Sequence, residues 1–95
     1  MPVDDATRIR RNAEILSAGV ADETILLDPS DWMYVGFNET ATRIWAVLDQ
    51  PRSVGEIIRV LLRDYDVDRT TCEAQVTRFV EEMSGRGLLI LEPAA

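Results

Sequence analysis

The side chains able to do chemistry in this sequence are few, and they lack the partners that chemistry needs. Histidine is absent, which removes the commonest general base, the usual activator of a nucleophilic Ser or Cys and the commonest metal ligand. Cys72, the single cysteine, therefore reads as a packed core thiol and not as a nucleophile. Asp64, Asp66 and Asp68 have the alternating spacing that opens a calcium loop. The sixth position of such a loop would be Arg69 where Gly is required, and the twelfth Gln75 where a bidentate Glu is required. Glu81 and Glu82 read as a solvated helix face. Asn38-Glu39-Thr40 has the form of a glycosylation acceptor but reads better as a helix start. Catalysis is thus left with few options, and neither a metal nor a cofactor is expected.

Composition narrows what could be bound. Ninety-five residues make one domain with one core, and 46% apolar with 28% charged residues is the balance of an ordinary globular chain. No run approaches the ~20 apolar residues of a membrane span. The net charge is −7 and every basic residue is arginine, so the chain offers no electrostatic route to nucleic acid, where cationic contacts to phosphate supply most of the affinity. The first residues, MPVDDATRIRRNAE, mix both signs of charge without an apolar stretch. No secretory signal is expected, and a cytoplasmic location is, in agreement with the lone cysteine.

The elements follow from local signals. Residues 1–7 and 92–95 read as tails around one domain, 8–91, with a first strand somewhere within 8–17. Thr24 to Asp28 is β-branched at its start and reads as a strand. Pro29 presets a type I turn in Asp28-Pro29-Ser30-Asp31, so Thr24 to Phe37 reads as a hairpin with a four-residue loop. In its second arm Met33, Val35 and Phe37 share one face, and Trp32, Tyr34 and Gly36 the other. Both faces are largely apolar, so the strand is either buried on both sides or half-covered and open to a visitor, and a hairpin-fed strand more often belongs to a small antiparallel sheet. Asn38 caps a helix that buries Ala41, Ile44, Trp45 and Leu48, with Glu39 suited to the positive end of the helix dipole. Ser53 and Glu56 form a capping box for a second helix with Val54, Ile57, Ile58, Leu61, Leu62 and Tyr65 on one stripe. Asp68 caps a third, running to about Met83 over Cys72, Val76, Phe79, Val80 and Met83, and Ser84-Gly85-Arg86-Gly87 ends it. Leu88 to Leu91 reads as a stub strand.

Three helices with a short connection before the third suggest a winged helix-turn-helix. A winged-helix regulator binding DNA is accordingly the alternative function, although Arg69, Arg78 and Arg86 on the third helix are diluted by Glu73, Glu81 and Glu82. A subunit of a larger enzyme with no ligand of its own is a third reading.

The strings FNETATRIW, VLDQPRSVGEIIRVLLRDYDVD and QVTRFVEEMSGRGLL carry a resemblance over about Ile25 to Leu89. The chain resembles the PqqD-like family, named for the protein of pyrroloquinoline quinone biosynthesis, whose members recognise precursor peptides. It departs from the family pattern in having Phe37 for Leu, Gln75 for an acidic residue, and Asp31-Trp32 where the turn has Gly. The resemblance implies an α+β fold, a small three-stranded antiparallel sheet packed on a three-helix, winged helix-turn-helix-like bundle, with no catalytic activity. It implies that the leader segment of a ribosomally made peptide adds as a further strand beside the hairpin, in a cleft closed by the third helix. The core peptide is thereby delivered to a modifying enzyme such as a radical SAM enzyme or a lasso-peptide protease or cyclase. On this sequence the strand side is Trp32, Met33, Tyr34 and Val35, and the helix side Gln75, Arg78, Phe79 and Glu82. In the free protein a second copy could occupy the same edge as a homodimer.

Overall fold

Three side chains end an extended stretch and start a helix. Asn38 Oδ1 accepts from Ala41 N–H at 2.9 Å, Ser53 Oγ from Glu56 N–H at 3.2 Å and Asp68 Oδ2 from Thr71 N–H at 2.9 Å. Each satisfies a backbone donor that the first helical turn leaves unpaired. The computed structural model describes residues 3–20, 23–30 and 32–92. In chain order they form β1 (Arg8–Arg11), β2 (Leu16–Val20), β3 (Glu23–Asp28), β4 (Met33–Phe37), α1 (Glu39–Val47), β5 (Arg52–Ser53), α2 (Val54–Asp64), α3 (Arg69–Gly85) and β6 (Leu89–Glu92).

The α+β class, the three helices and an antiparallel three-stranded sheet are as expected, but there are two such sheets, ordered β2-β3-β4 and β5-β1-β6. The single strand expected within 8–17 is two strands, one in each sheet. Asn12 separates them: its Oδ1 accepts from Glu14 N–H at 3.0 Å and its carbonyl from Ile15 N–H at 3.1 Å, an Asx turn of the kind Asn favours. The stub strand expected over residues 88–91 is β6, Leu89–Glu92, which pairs with β1 from Arg8↔Glu92 to Arg11↔Leu89, so Glu92 belongs to a strand and not to a tail.

Residues 4–7, expected to be a tail, are tied to the start of α2. The Thr7 carbonyl accepts from Val54 N–H and the Asp5 carbonyl from Gly55 N–H, both at 3.0 Å. Together with the Ser53–Glu56 capping box, they pair every donor of that first turn. Gly55 permits the approach, because a Cβ there would stand 3.3 Å from the Asp5 carbonyl oxygen. Met1, Pro2 and residues 93–95 lie outside the described residues.

The three expected helical stripes are buried, with Ile44 and Trp45 from α1, Ile57, Ile58 and Leu61 from α2, and Cys72, Val76, Phe79, Val80 and Met83 from α3. They meet Ile9 of β1, Leu26 of β3 and Leu88 and Leu89 in one core. Tyr65, expected on the α2 stripe, is exposed at its end. α3 closes as expected with a left-handed glycine, Gly87 at φ +78°. Gly87 N–H donates to Ser84 O at 3.1 Å and Leu88 N–H to Met83 O at 2.9 Å, the paired bonds of a Schellman motif.

The hairpin β3–β4 has the expected four-residue loop, closing at Asp28↔Met33. Its turn is tied by Asp28, whose Oδ1 accepts from Ser30 N–H at 3.0 Å and from the Ser30 hydroxyl at 2.7 Å; Asp31 lies outside the described residues. Trp32, expected as the first strand residue, belongs to the loop. It donates its N–H to Asp28 O at 2.8 Å and adopts φ +59°, the left-handed region where a Cβ crowds the following carbonyl. The side chain is 73% exposed, so little packing offsets that cost. Glycine is the residue this geometry favours.

Two predictions follow from these local devices. The Asp68 carboxyl is held below its ordinary pKa chiefly by the Thr71 N–H, that of Glu56 chiefly by the Ser53 N–H, and that of Asp28 chiefly by the Ser30 hydroxyl. The folded state thus favours the carboxylates. Their contribution is complete above about pH 4, the unfolded range, and is lost as pH falls through the lower folded values. Asp68→Asn keeps a cap acceptor without the titration, so the drop in urea midpoint between about pH 7 and pH 3 should be smaller in the variant than in the parent. Trp32→Gly should raise unfolding free energy by about 0.5–1 kcal/mol, the relief of left-handed strain less the extra chain entropy of glycine, measured by urea unfolding at neutral pH.

Candidate functional site

β4 is an edge strand, paired with β3 on one side and with no described strand on the other. Along it, Val35 and Phe37 point toward the helices. Phe37, 4% exposed, stands edge-on to two rings, Trp45 of α1 with centroids 5.6 Å apart and Phe79 of α3 with centroids 5.2 Å apart. Such T-shaped pairs each add about 0.5–1.5 kcal/mol to the burial of the rings. The end of β4 is thereby pinned against both helices.

Beside the pinned strand lies a groove of about 480 Å³. One wall is β4, from Val35 to its junction with α1 at Asn38; the other is α3, with Thr40, Ala41 and Ile44 of α1 between them. The α3 wall presents Gln75, Arg78, Phe79, Glu82, Met83 and Arg86, at the spacing of one helical face. Phe79, Met83 and Ile44 are buried and give an apolar floor. The rim is charged, with Arg78 Nε 3.0 Å from Glu82 Oε1.

Of the residues singled out from sequence, the structure brings Val35, Gln75, Arg78, Phe79 and Glu82 together around this groove. Trp32, Met33 and Tyr34 do not line it. Tyr34 is 69% exposed because strand alternation sends it to the opposite face; there it lies across from Leu27, itself paired with Leu16. Met33 shares the face of Val35 but remains largely exposed, and Trp32 sits in the loop. Sequence reasoning missed as lining residues Gly36, Phe37 and Asn38 at the end of β4, Thr40, Ala41 and Ile44 of α1, and Met83 and Arg86. The α3 periodicity, extended past the expected helix end, was the available signal for Arg86.

Burial pushes the Cys72 thiol up from its usual pKa, which keeps it protonated and inert at neutral pH. Among the described residues no group of three His, Cys, Asp or Glu side chains could hold a metal, and no helix is long and apolar enough to cross a membrane. The exposed arginines of α3 offer little to phosphate: Arg69 pairs with Glu73 at 2.9 Å and Arg78 with Glu82. What remains is a row of backbone donors and acceptors on the outer margin of a strand, beside an apolar trench.

A hairpin sheet and a three-helix bundle with an open edge along the third helix define a small α+β domain of winged-helix-like build. The family model of coenzyme PQQ synthesis protein D (PqqD) matches residues 23–89, and the chain belongs to that family. Among solved structures it is similar to TbiB1 in complex with the TbiA(beta) leader peptide, with a TM-score of 0.77 and 29% identity over 84% of this chain and 93% of that one. It is also similar to lasso peptide synthetase B1 complexed with the leader peptide, with a TM-score of 0.72 and 28% identity over 86% and 96%. The fold is shared with the PqqD truncation of Methylobacterium extorquens PqqCD, a stand-alone recognition element for ribosomally synthesised and post-translationally modified peptides. That match has a TM-score of 0.71 and 18% identity over 87% and 88%. No curated protein sequence matches the chain.

Because Phe37 sets the distance between β4 and α3, its size should be felt in stability. Phe37→Ala should cost about 3–5 kcal/mol. Phe37→Leu, the residue of the family pattern, should cost about 1 kcal/mol through loss of the two edge-on contacts. Urea unfolding of the two variants beside the parent measures both.

Proposed function

We propose that this chain is a non-catalytic recognition module that binds the leader segment of a ribosomally synthesised precursor peptide by strand addition to β4 and presents it to a modifying enzyme. The observation that carries the reading is the outer margin of β4, with which no described strand pairs, lying beside the apolar groove of α3. An extended peptide there gains backbone bonds from the edge, while its alternate side chains enter the groove. Membership of the PqqD family supports it, as do the two relatives of 28–29% identity solved with leader peptides bound.

In this reading Val35, Gln75, Arg78, Phe79 and Glu82 touch the peptide from within the groove. Tyr34 extends the ladder, and Trp32 and Met33 flank the end where the peptide leaves it. An antiparallel edge turns the N–H and C=O of every second residue outward, so the four residues Tyr34 to Phe37 offer about four bonds, worth about 1 kcal/mol each. Two or three apolar anchors at roughly 2 kcal/mol each add to these, against about 2–5 kcal/mol for ordering a flexible segment and the loss of rigid-body freedom. The served enzyme is of the class that modifies such precursors, a radical SAM enzyme or a lasso-type protease or cyclase, and the encounter is cytoplasmic. The paired arginines of α3 and the charge of −7 disfavour the DNA-binding alternative.

The test is a titration with the leader of a precursor peptide encoded beside this chain, together with Val35→Pro and Gly36→Pro. Consecutive residues send their N–H groups to opposite sides of the strand, so one variant loses its bond to β3 and the other loses the outward donor. The second should stay folded and bind at least about tenfold more weakly, the effect of about 1.4 kcal/mol. Duplex DNA should not compete at low salt. Unchanged affinity in both folded variants, or salt-sensitive binding of DNA in place of peptide, would overturn the proposal.

A further inference from the structure

The geometry points to a sequence rule for the peptide. We infer that the groove selects segments carrying an acidic side chain and a single bulky apolar side chain about five residues apart, the first meeting Arg86 and the second entering a further cavity beyond Gln75. The inference rests on the proposed function and deepens it by naming what the groove reads.

The charge requirement follows from three side chains. Glu82 stands four residues after Arg78 and four before Arg86, and Arg78 Nε holds it at 3.0 Å. Whichever arginine the carboxylate takes, one positive charge remains on the rim. In the structure that charge is Arg86, which has no ion pair among the described residues. It lies past the last turn of α3, where helix carbonyls would ordinarily repel an anion. Here the carbonyls of Glu82, Met83 and Ser84 already accept from the N–H groups of Arg86, Leu88 and Gly87, so the unpaired guanidinium dominates. A peptide carboxylate there gains a charge-assisted hydrogen bond.

The apolar requirement follows from the other end. A cavity of about 280 Å³ adjoins the groove, and a pair of uncharged side chains, Thr40 and Gln75, lines both. Its volume is below the roughly 300–1,000 Å³ of small-molecule sites and suits one side chain. Leu61, Val67 and Cys72 supply apolar lining. Arg43 also borders it but is engaged twice, by the Glu39 carboxylate and by the Tyr65 ring, whose centroid lies 4.0 Å from its guanidinium carbon. The Arg43 charge is therefore already compensated and Asp66, which also borders the cavity, is exposed to solvent, so the Leu61, Val67 and Cys72 lining favours an apolar occupant.

The spacing follows from α3 itself. Gln75 and Arg86 are eleven positions apart on one helix, about 16 Å at about 1.5 Å per residue. An extended chain covers that length in about five residues at about 3.3 Å each.

The test uses a displayed library of random twelve-residue peptides, selected on the parent protein, on Arg86→Glu and on Val67→Trp, which fills the second cavity. Peptides retained by the parent should be enriched in Asp or Glu about five positions from Leu, Ile, Met or Phe. Arg86→Glu should invert the acidic preference to a basic one and weaken an acid-bearing binder about tenfold, with recovery when that acid is changed to Arg. Val67→Trp should lose the apolar preference and keep the acidic one. Binders that require the β4 edge yet show no charge bias, or a bias that Arg86→Glu leaves unchanged, would overturn the inference while the proposed function stands. If no peptide is retained at the β4 edge, both fall.

Discussion

The groove exists because Phe37 is held between Trp45 and Phe79. Phe37 is the last residue of β4, and Asn38, the next, caps α1, so strand and helix meet with no slack. The ring then fixes how closely α3 can approach the strand. Trp45 is in turn held by Arg11 of β1, whose guanidinium carbon lies 4.5 Å from the ring centroid and whose Nη2 donates to the Trp45 carbonyl. Burial lowers the Arg11 pKa, an effect Asp49 opposes, but an arginine stays charged under such a shift. The line from Arg11 through Trp45 and Phe37 to Phe79 joins both sheets, α1 and α3, and the edge strand is positioned by residues far from it in sequence.

The second sheet serves the same end by another route. β1 brings β5, which precedes α2, and β6, which follows α3, to its two sides, while residues 5 and 7 hold the first turn of α2. Both ends of the described chain are thus fastened to the helices that back the groove. Rigid walls matter for a site whose ligand arrives flexible, because ordering then falls on the peptide alone.

What was legible in the sequence is what is encoded locally. Asn38, Ser53 and Asp68 announce their helices with a side chain and a neighbouring turn, and the hairpin is written in Pro29 and in two apolar runs. The split of residues 8–17 was not legible, since β1 and β2 find their partners at Leu89–Glu92 and Glu23–Asp28, and nothing in Arg8 to Leu16 names either. Thr7 looked idle because its partner is Val54. For the site, the resemblance supplied Val35, Gln75, Arg78, Phe79 and Glu82. Trp32 and Tyr34, named with them, do not line the groove, because a left-handed backbone keeps Trp32 in the loop and strand alternation turns Tyr34 to the other face. Arg86 lay beyond the expected end of α3 and was passed over as part of a stop signal.

One feature of β4 bears on the company the molecule keeps. Its sequence, Met-Tyr-Val-Gly-Phe, contains neither charge nor proline, the guards that usually keep an uncovered strand from pairing with its own kind. Protection must come from elsewhere, and the overall charge of −7 provides it. Two identical anions repel as they draw near, whereas a short segment bearing little charge meets no comparable barrier. The acidity that disfavours nucleic acid thus also disfavours the approach of one such edge to another.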